Sequence, residues 1–111
     1  MSDIYIDDTG KGFPLVLVHG YLGSSEMWTF QKDFFSKDNR VIIPALPGFG
    51  ESHNIKSLDS INKMAKKIIS VLDQKKIDKF NLIGHSMGGM IVQEITKLIG
   101  DRVDKLICFA T

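Results

Sequence analysis

Four short, almost unbroken apolar runs punctuate the chain: Leu15–Val18, Arg40–Ile43, Phe80–Ile83 and Leu106–Phe109. Apolar runs of this length predict strands buried on both faces, which are usually parallel because their crossover helices cover the sheet. The intervening segments 26–35, 61–74 and 87–99 are long enough to form those crossovers. In the second segment Ile61, Met64, Ala65, Ile68, Ile69 and Leu72 recur at helical intervals, with Ser57 or Asp59 available as a cap. In the third, Met90, Ile91, Glu94, Ile95, Leu98 and Ile99 recur in the same way, and Gly100 with Asp101 is expected to close the helix. Ile4-Tyr5-Ile6 alternates more and reads as an edge strand leading into a turn at Thr9–Gly12. The expected fold class is α/β: a doubly wound, mostly parallel sheet with helices on both faces.

A chain of 111 residues is the size of one small folding unit. A net charge of +1, with neither sign gathered into a block, gives no footprint for nucleic acid. Lys63, Lys66 and Lys67, like Lys75, Lys76 and Lys79, read as the wet face of a helix and its exit. No apolar run approaches the roughly 20 residues that span a bilayer. The first residues lack the basic start and apolar core of a signal peptide, so a cytoplasmic protein without a membrane partner is expected. The single Cys108 excludes an internal disulfide and, within an apolar strand, reads as a packed thiol. That last run reaches Thr111 with nothing after it to supply a neighbouring strand or a covering helix. The expectation is therefore a single incomplete domain over 1–111. Its exposed last strand should self-associate or pair with a complementary C-terminal polypeptide.

The chemistry concentrates at Gly84-His85-Ser86-Met87-Gly88, between an apolar run and a helical one. Gly-x-Ser-x-Gly in that setting suits a sharp strand-to-helix turn that lifts the serine hydroxyl clear of the sheet. Two more loops follow predicted strands, His19-Gly20-Tyr21-Leu22-Gly23-Ser24 and Pro44-Ala45-Leu46-Pro47-Gly48-Phe49-Gly50-Glu51-Ser52. All three fall at the carboxyl rim, where open α/β sheets place their sites. In these motifs the sequence resembles the N-terminal half of the α/β-hydrolase fold family. The wording is nearest to small serine esterases, perhydrolase-like enzymes and carbon-carbon hydrolases or lyases. The resemblance implies that Ser86 is a nucleophile toward an acyl or ester substrate, with the backbone N–H groups of Met87 and Tyr21 as the oxyanion hole. Leu22 is the alternative to Tyr21. It further implies His19 as a brace for the oxyanion loop with Gly20, and His85 as a packed neighbour of the turn that Gly84 and Gly88 permit. Leu22, Trp28 and Phe49, with Tyr21 and Met87, are candidates to line an acyl pocket. Trp28 and Phe49 also read as ordinary core. No cofactor and no metal are expected.

The pattern departs from the family in two places. Ala45 stands where an aspartate is usual, so the 44–52 loop is expected to rely on packing and its Pro-Gly turn. The family's triad runs serine, acid, histidine along the chain, and no histidine follows Ser86. Glu94 belongs on the following helix, Asp101 and Asp104 lie at its far end, and His53 on the correct rim has nothing nearby to orient its ring. The chain should be nearly inert by itself. A non-catalytic binding or interaction module on the same scaffold is the alternative. A nucleotide-binding reading lacks its glycine signatures.

Overall fold

The computed structural model describes residues 4–20, 28–47, 52 and 57–109. Five strands, β1 (Ile6–Thr9), β2 (Phe13–Val18), β3 (Asn39–Pro44), β4 (Phe80–His85) and β5 (Val103–Phe109), form one sheet in the order β1-β3-β2-β4-β5. β1 is antiparallel to β3, and the other neighbours are parallel. The helices are α1 (Thr29–Phe35), α2 (Ile61–Gln74) and α3 (Met87–Ile99). Each strand outlasts its apolar run, because the ladder continues through polar residues such as Asn39 and His85. The edge strand lies at 6–9 rather than 4–6, while Ile4 is buried ahead of it.

Strand parity divides the core. Val16, Val18, Ile42, Phe80 and Leu82 face α2 and α3, where Met64, Ala65, Ile68, Leu72, Ile91, Val92 and Ile95 complete the larger cluster. Leu15, Leu17, Val41 and Ile43 face the other way, against Trp28 and Phe35. Helices therefore cover both faces, as doubly wound sheets require, but unequally. No residue of α1 is fully buried, and its Phe30 and Phe34 are largely exposed. β5 is the least covered strand: Leu106 is 37% and Ile107 52% exposed, so it is not buried on both faces. Cys108 is half-buried beneath α3, with its thiol 3.7 Å from the Gly89 carbonyl.

Two local expectations are corrected, and a third holds in position but not in conformation. α2 is capped by Ser60, whose hydroxyl accepts the Lys63 N–H at 3.1 Å; Asp59 instead pairs with the Lys63 ammonium. Gly100 does close α3 as its C-cap, but it stays right-handed (φ −57°) and runs into a 3-10 turn over Gly100–Arg102. A left-handed closing residue is found instead after α2, at Lys76 (φ 59°), where the Ile77 N–H returns to the Leu72 carbonyl. On α3, Met90 and Leu98 face outward, and the buried stripe is Gly88, Gly89, Ile91, Val92 and Ile95. Ile91 and Ile95 are buried as expected, and Gly88, close to the Val18 and His19 carbonyls, joins the buried face because it has no side chain.

Ion pairs fasten the edge strand. Asp8 accepts from Arg40 Nε (2.9 Å) and Nη2 (2.7 Å), and from Lys75 Nζ (2.9 Å) at the end of α2. The Arg40 fork, with Lys75 adding to it, holds the Asp8 carboxyl at about 2. A pKa below the unfolded value of 3.8 stabilises the fold above that value, and the contribution drains away as pH falls from about 4 to about 2. After solvent screening it is on the order of 1 kcal/mol. Asp8→Asn should cost that much in urea unfolding at pH 6, and the gap should close by about pH 2. A gap independent of pH would contradict the ion-pair origin.

Candidate active site

The chain order of the sheet reverses between β2 and β4. From β2 it moves outward to β3 by way of α1, then crosses back to β4 and on to β5. The carboxyl ends of β2 and β4 flank this switch point, where a crevice forms in open α/β sheets. Gly20 follows one strand and Ser86 the other. A Cβ built on Gly20 would lie 2.9 Å from Ser86 Cβ and 3.4 Å from its Oγ, so the two loops touch there.

Ser86 has φ 57° and ψ −120°, a backbone conformation that side chains with a Cβ rarely adopt. It occupies the N-cap position of α3, yet its hydroxyl makes no capping hydrogen bond. The Gly89 N–H reaches the Ser86 carbonyl at 2.9 Å. The amides of Met87 and Gly88 open the helix, before any intrahelical carbonyl can serve them. The strained turn is enforced by close packing on both sides. A Cβ on Gly84 would strike the Gly88 carbonyl and sit 2.7 Å from Val92 Cγ2; one on Gly88 would strike the Val18 carbonyl oxygen. Such strain costs about 1 to 3 kcal/mol. Ser86→Gly should therefore be more resistant to urea than Ser86→Ala by about 1 kcal/mol or more, because only glycine is at ease at this φ. Equal stabilities would remove the strain argument.

His19 is fully buried at the end of β2. Its Nε2 accepts the Leu46 N–H at 3.0 Å, so the ring proton lies on Nδ1, which donates to the Gly20 carbonyl at 2.7 Å. One ring thus ties the loop beside Ser86 to the exit of β3. That exit does not rely on packing alone. The buried Ser52 hydroxyl donates to the Ala45 carbonyl and accepts the Tyr5 N–H, each at 2.8 Å, while Ala45 N–H reaches the Tyr5 carbonyl at 2.9 Å. The N-terminal segment supplies partners that the sequence pattern does not reveal. Ser52 was legible only as the last residue of its loop motif.

The remaining candidates separate. Tyr21, Leu22, Phe49 and His53 lie outside the described residues. Trp28 is 2% exposed within the cluster on the α1 face, where it serves as core. His85 ends β4, half-buried, and strand parity puts its ring on the α1 face with Ile83. Glu94 accepts from Asn62 Nδ2 at 2.7 Å between α2 and α3, and Asp101 and Asp104 sit at the opposite end of α3. Met87 is half-buried and shares a cleft with Leu58, Ile61 and Met64; periodicity assigns Ile61 and Met64 only to packing, and Leu58 carries no sequence signal. Among the described residues, no helix is long and apolar enough to cross a membrane.

Residues 14–111 match the family described as alpha/beta hydrolase fold. The chain belongs to the α/β-hydrolase fold family. Among curated proteins it is 36% identical over 100 residues to the dihydrolipoyllysine-residue acetyltransferase component of the acetoin cleaving system of Pseudomonas putida, covering 90% of this chain and 27% of that protein. It is 35% identical over 98 residues to esterase YbfF of Escherichia coli, covering 85% of this chain and 37% of the esterase. A thermophilic esterase from Thermogutta terrifontis superposes with a TM-score of 0.89 at 34% identity, over 95% of this hydrolase-fold chain and 39% of the esterase. The chain thus spans well under half the length of these relatives.

Proposed function

We propose that this chain carries the nucleophile half of a serine acyl hydrolase acting on esters. Ser86 attacks the acyl carbonyl, and the N–H of Met87 holds the developing oxyanion together with that of Tyr21, or of Leu22, from the loop after Gly20. The acid and base belong to polypeptide outside these residues, so the chain alone is nearly inert. The observation that carries this reading is the Ser86 turn: a strained backbone and a hydroxyl not used as a cap, at the first amides of α3 and against Gly20. A serine merely filling a turn gains nothing from strain, and the esterases among the relatives favour ester chemistry.

The alternative is a non-catalytic ligand-binding or interaction module, favoured by the lack of any histidine after Ser86 and by Ala45 in place of the expected aspartate. Ser86 keeps partial exposure, which supports the catalytic reading over a blocked site. The chain is incubated with p-nitrophenyl acetate beside Ser86→Ala. Near-background turnover is expected from both. Brisk Ser86-dependent turnover by the chain alone would sink the inert-half reading.

A further inference from the structure

We propose that the cleft between the N-terminal ends of α2 and α3 binds the alkyl portion of the acyl substrate. It is an open cleft of about 380 Å³, within the size range of small-molecule sites. Both helices begin at the carboxyl rim because each follows the exit of a strand, β3 and β4. Leu58, Ile61, Met64 and Met87 provide its apolar lining. The charged group at its mouth is paired locally, the Asp59 carboxylate with the Lys63 ammonium at 2.8 Å; the Ser60 hydroxyl caps the Lys63 N–H, and the uncharged Ser57 hydroxyl also lies on the lining. The cleft therefore recognises its ligand by apolar contact rather than by charge. Met87 makes it continuous with the reactive turn. Its backbone N–H lies next to Ser86, and its side chain forms a wall of the cleft. A carbonyl held at Ser86 would send its tail over Met87 toward Leu58 and Met64. Two flexible thioether walls suit chains of graded length better than one rigid shape.

The ligand class rests on the acyl-hydrolase reading of Ser86; the cleft itself does not. The chain has five methionines, so carbon-13 methyl labelling gives a direct readout. Titration with sodium butanoate, hexanoate and octanoate should shift the Met64 and Met87 signals saturably, with Met90 little affected. Affinity should rise about fourfold per added methylene until the chain outgrows the cleft. Ile61→Asp, at a helix start that tolerates a carboxylate, should weaken octanoate binding on the order of tenfold. Equal affinity for butanoate and octanoate, or unsaturable shifts spread over all five methyls, overturns the proposal even if the variant fails to fold. Ser86→Ala titrated in parallel should bind octanoate like the parent. Failure of Ser86 as a nucleophile would leave this result standing, and failure of the cleft would leave the nucleophile untouched.

Discussion

Joined to a polypeptide that supplies the acid and histidine, the chain should gain Ser86-dependent hydrolysis of p-nitrophenyl acetate by up to about a millionfold. That factor is worth roughly 8 kcal/mol of transition-state stabilisation. It is large because a serine hydroxyl without a base stays protonated, however well Met87 N–H is placed to receive the oxyanion. Positioned donors and binding alone leave only about 10³ to 10⁴ over water. The surface such a polypeptide would cover is apolar and open. β5 is the sheet edge with Leu106 and Ile107 exposed, and Phe30 and Phe34 of α1 stand exposed on the sheet's second face. An added strand would complete the β5 ladder, and its side chains would shield that face.

The experiment is co-expression with a polypeptide that carries an aspartate and a later histidine, purification of the complex, and esterase assay beside the Ser86→Ala complex. A complex whose turnover survives Ser86→Ala would refute the nucleophile assignment. Without the complement, the same edge should drive self-association. A monodisperse monomer in scattering at high concentration would count against that part.

Alternation of apolar runs and helical stripes was enough to place the sheet, the crossovers and the rim, because burial on two faces leaves a signal in every residue of a strand. The ends were less legible. Ser60 rather than Ser57 or Asp59 caps α2, and α3 ends at Gly100 as expected but without a left-handed turn, since cap geometry depends on where the chain stops packing and not on the composition of a window. Arg102 carries no sequence signal for its role: it donates to the Ile77 and Asp78 carbonyls at 2.7 and 2.9 Å and stacks over Phe80, stapling the turns at the far end of the sheet. At the candidate site Gly84, Ser86 and Gly88 were readable because one steric demand fixes their spacing. The His19 relay and the Ser52 anchor were not, since each joins residues 27 or 47 positions apart. Tertiary polar contacts of that kind leave no period to read.

Gly88→Ala should cost about 3 to 5 kcal/mol, a large fraction of the roughly 5 to 15 kcal/mol that a domain commands. The sign is opposite to ordinary helix behaviour, where replacing an interior glycine by alanine gains about 1 kcal/mol. Propensity loses because a Cβ at Gly88 would overlap the Val18 carbonyl oxygen and lie 2.7 Å from the His19 carbonyl oxygen, both backbone atoms at the end of a central strand. No side-chain rotation relieves such a clash. Either α3 lifts off β2, carrying Ser86 away from Gly20, or β2 shifts and breaks its ladders with β3 and β4. Gly100→Ala is the internal control. Gly100 has a right-handed backbone, and its nearest obstacle is Thr96 Cγ2 at 4.0 Å. There the same substitution should be neutral or stabilising by up to about 1 kcal/mol. Urea unfolding of the two variants reads the contrast directly. Gly88→Ala within about 1 kcal/mol of the parent would mean that α3 is not seated on the β2 backbone, and the contact between Ser86 and Gly20 would lose its structural basis.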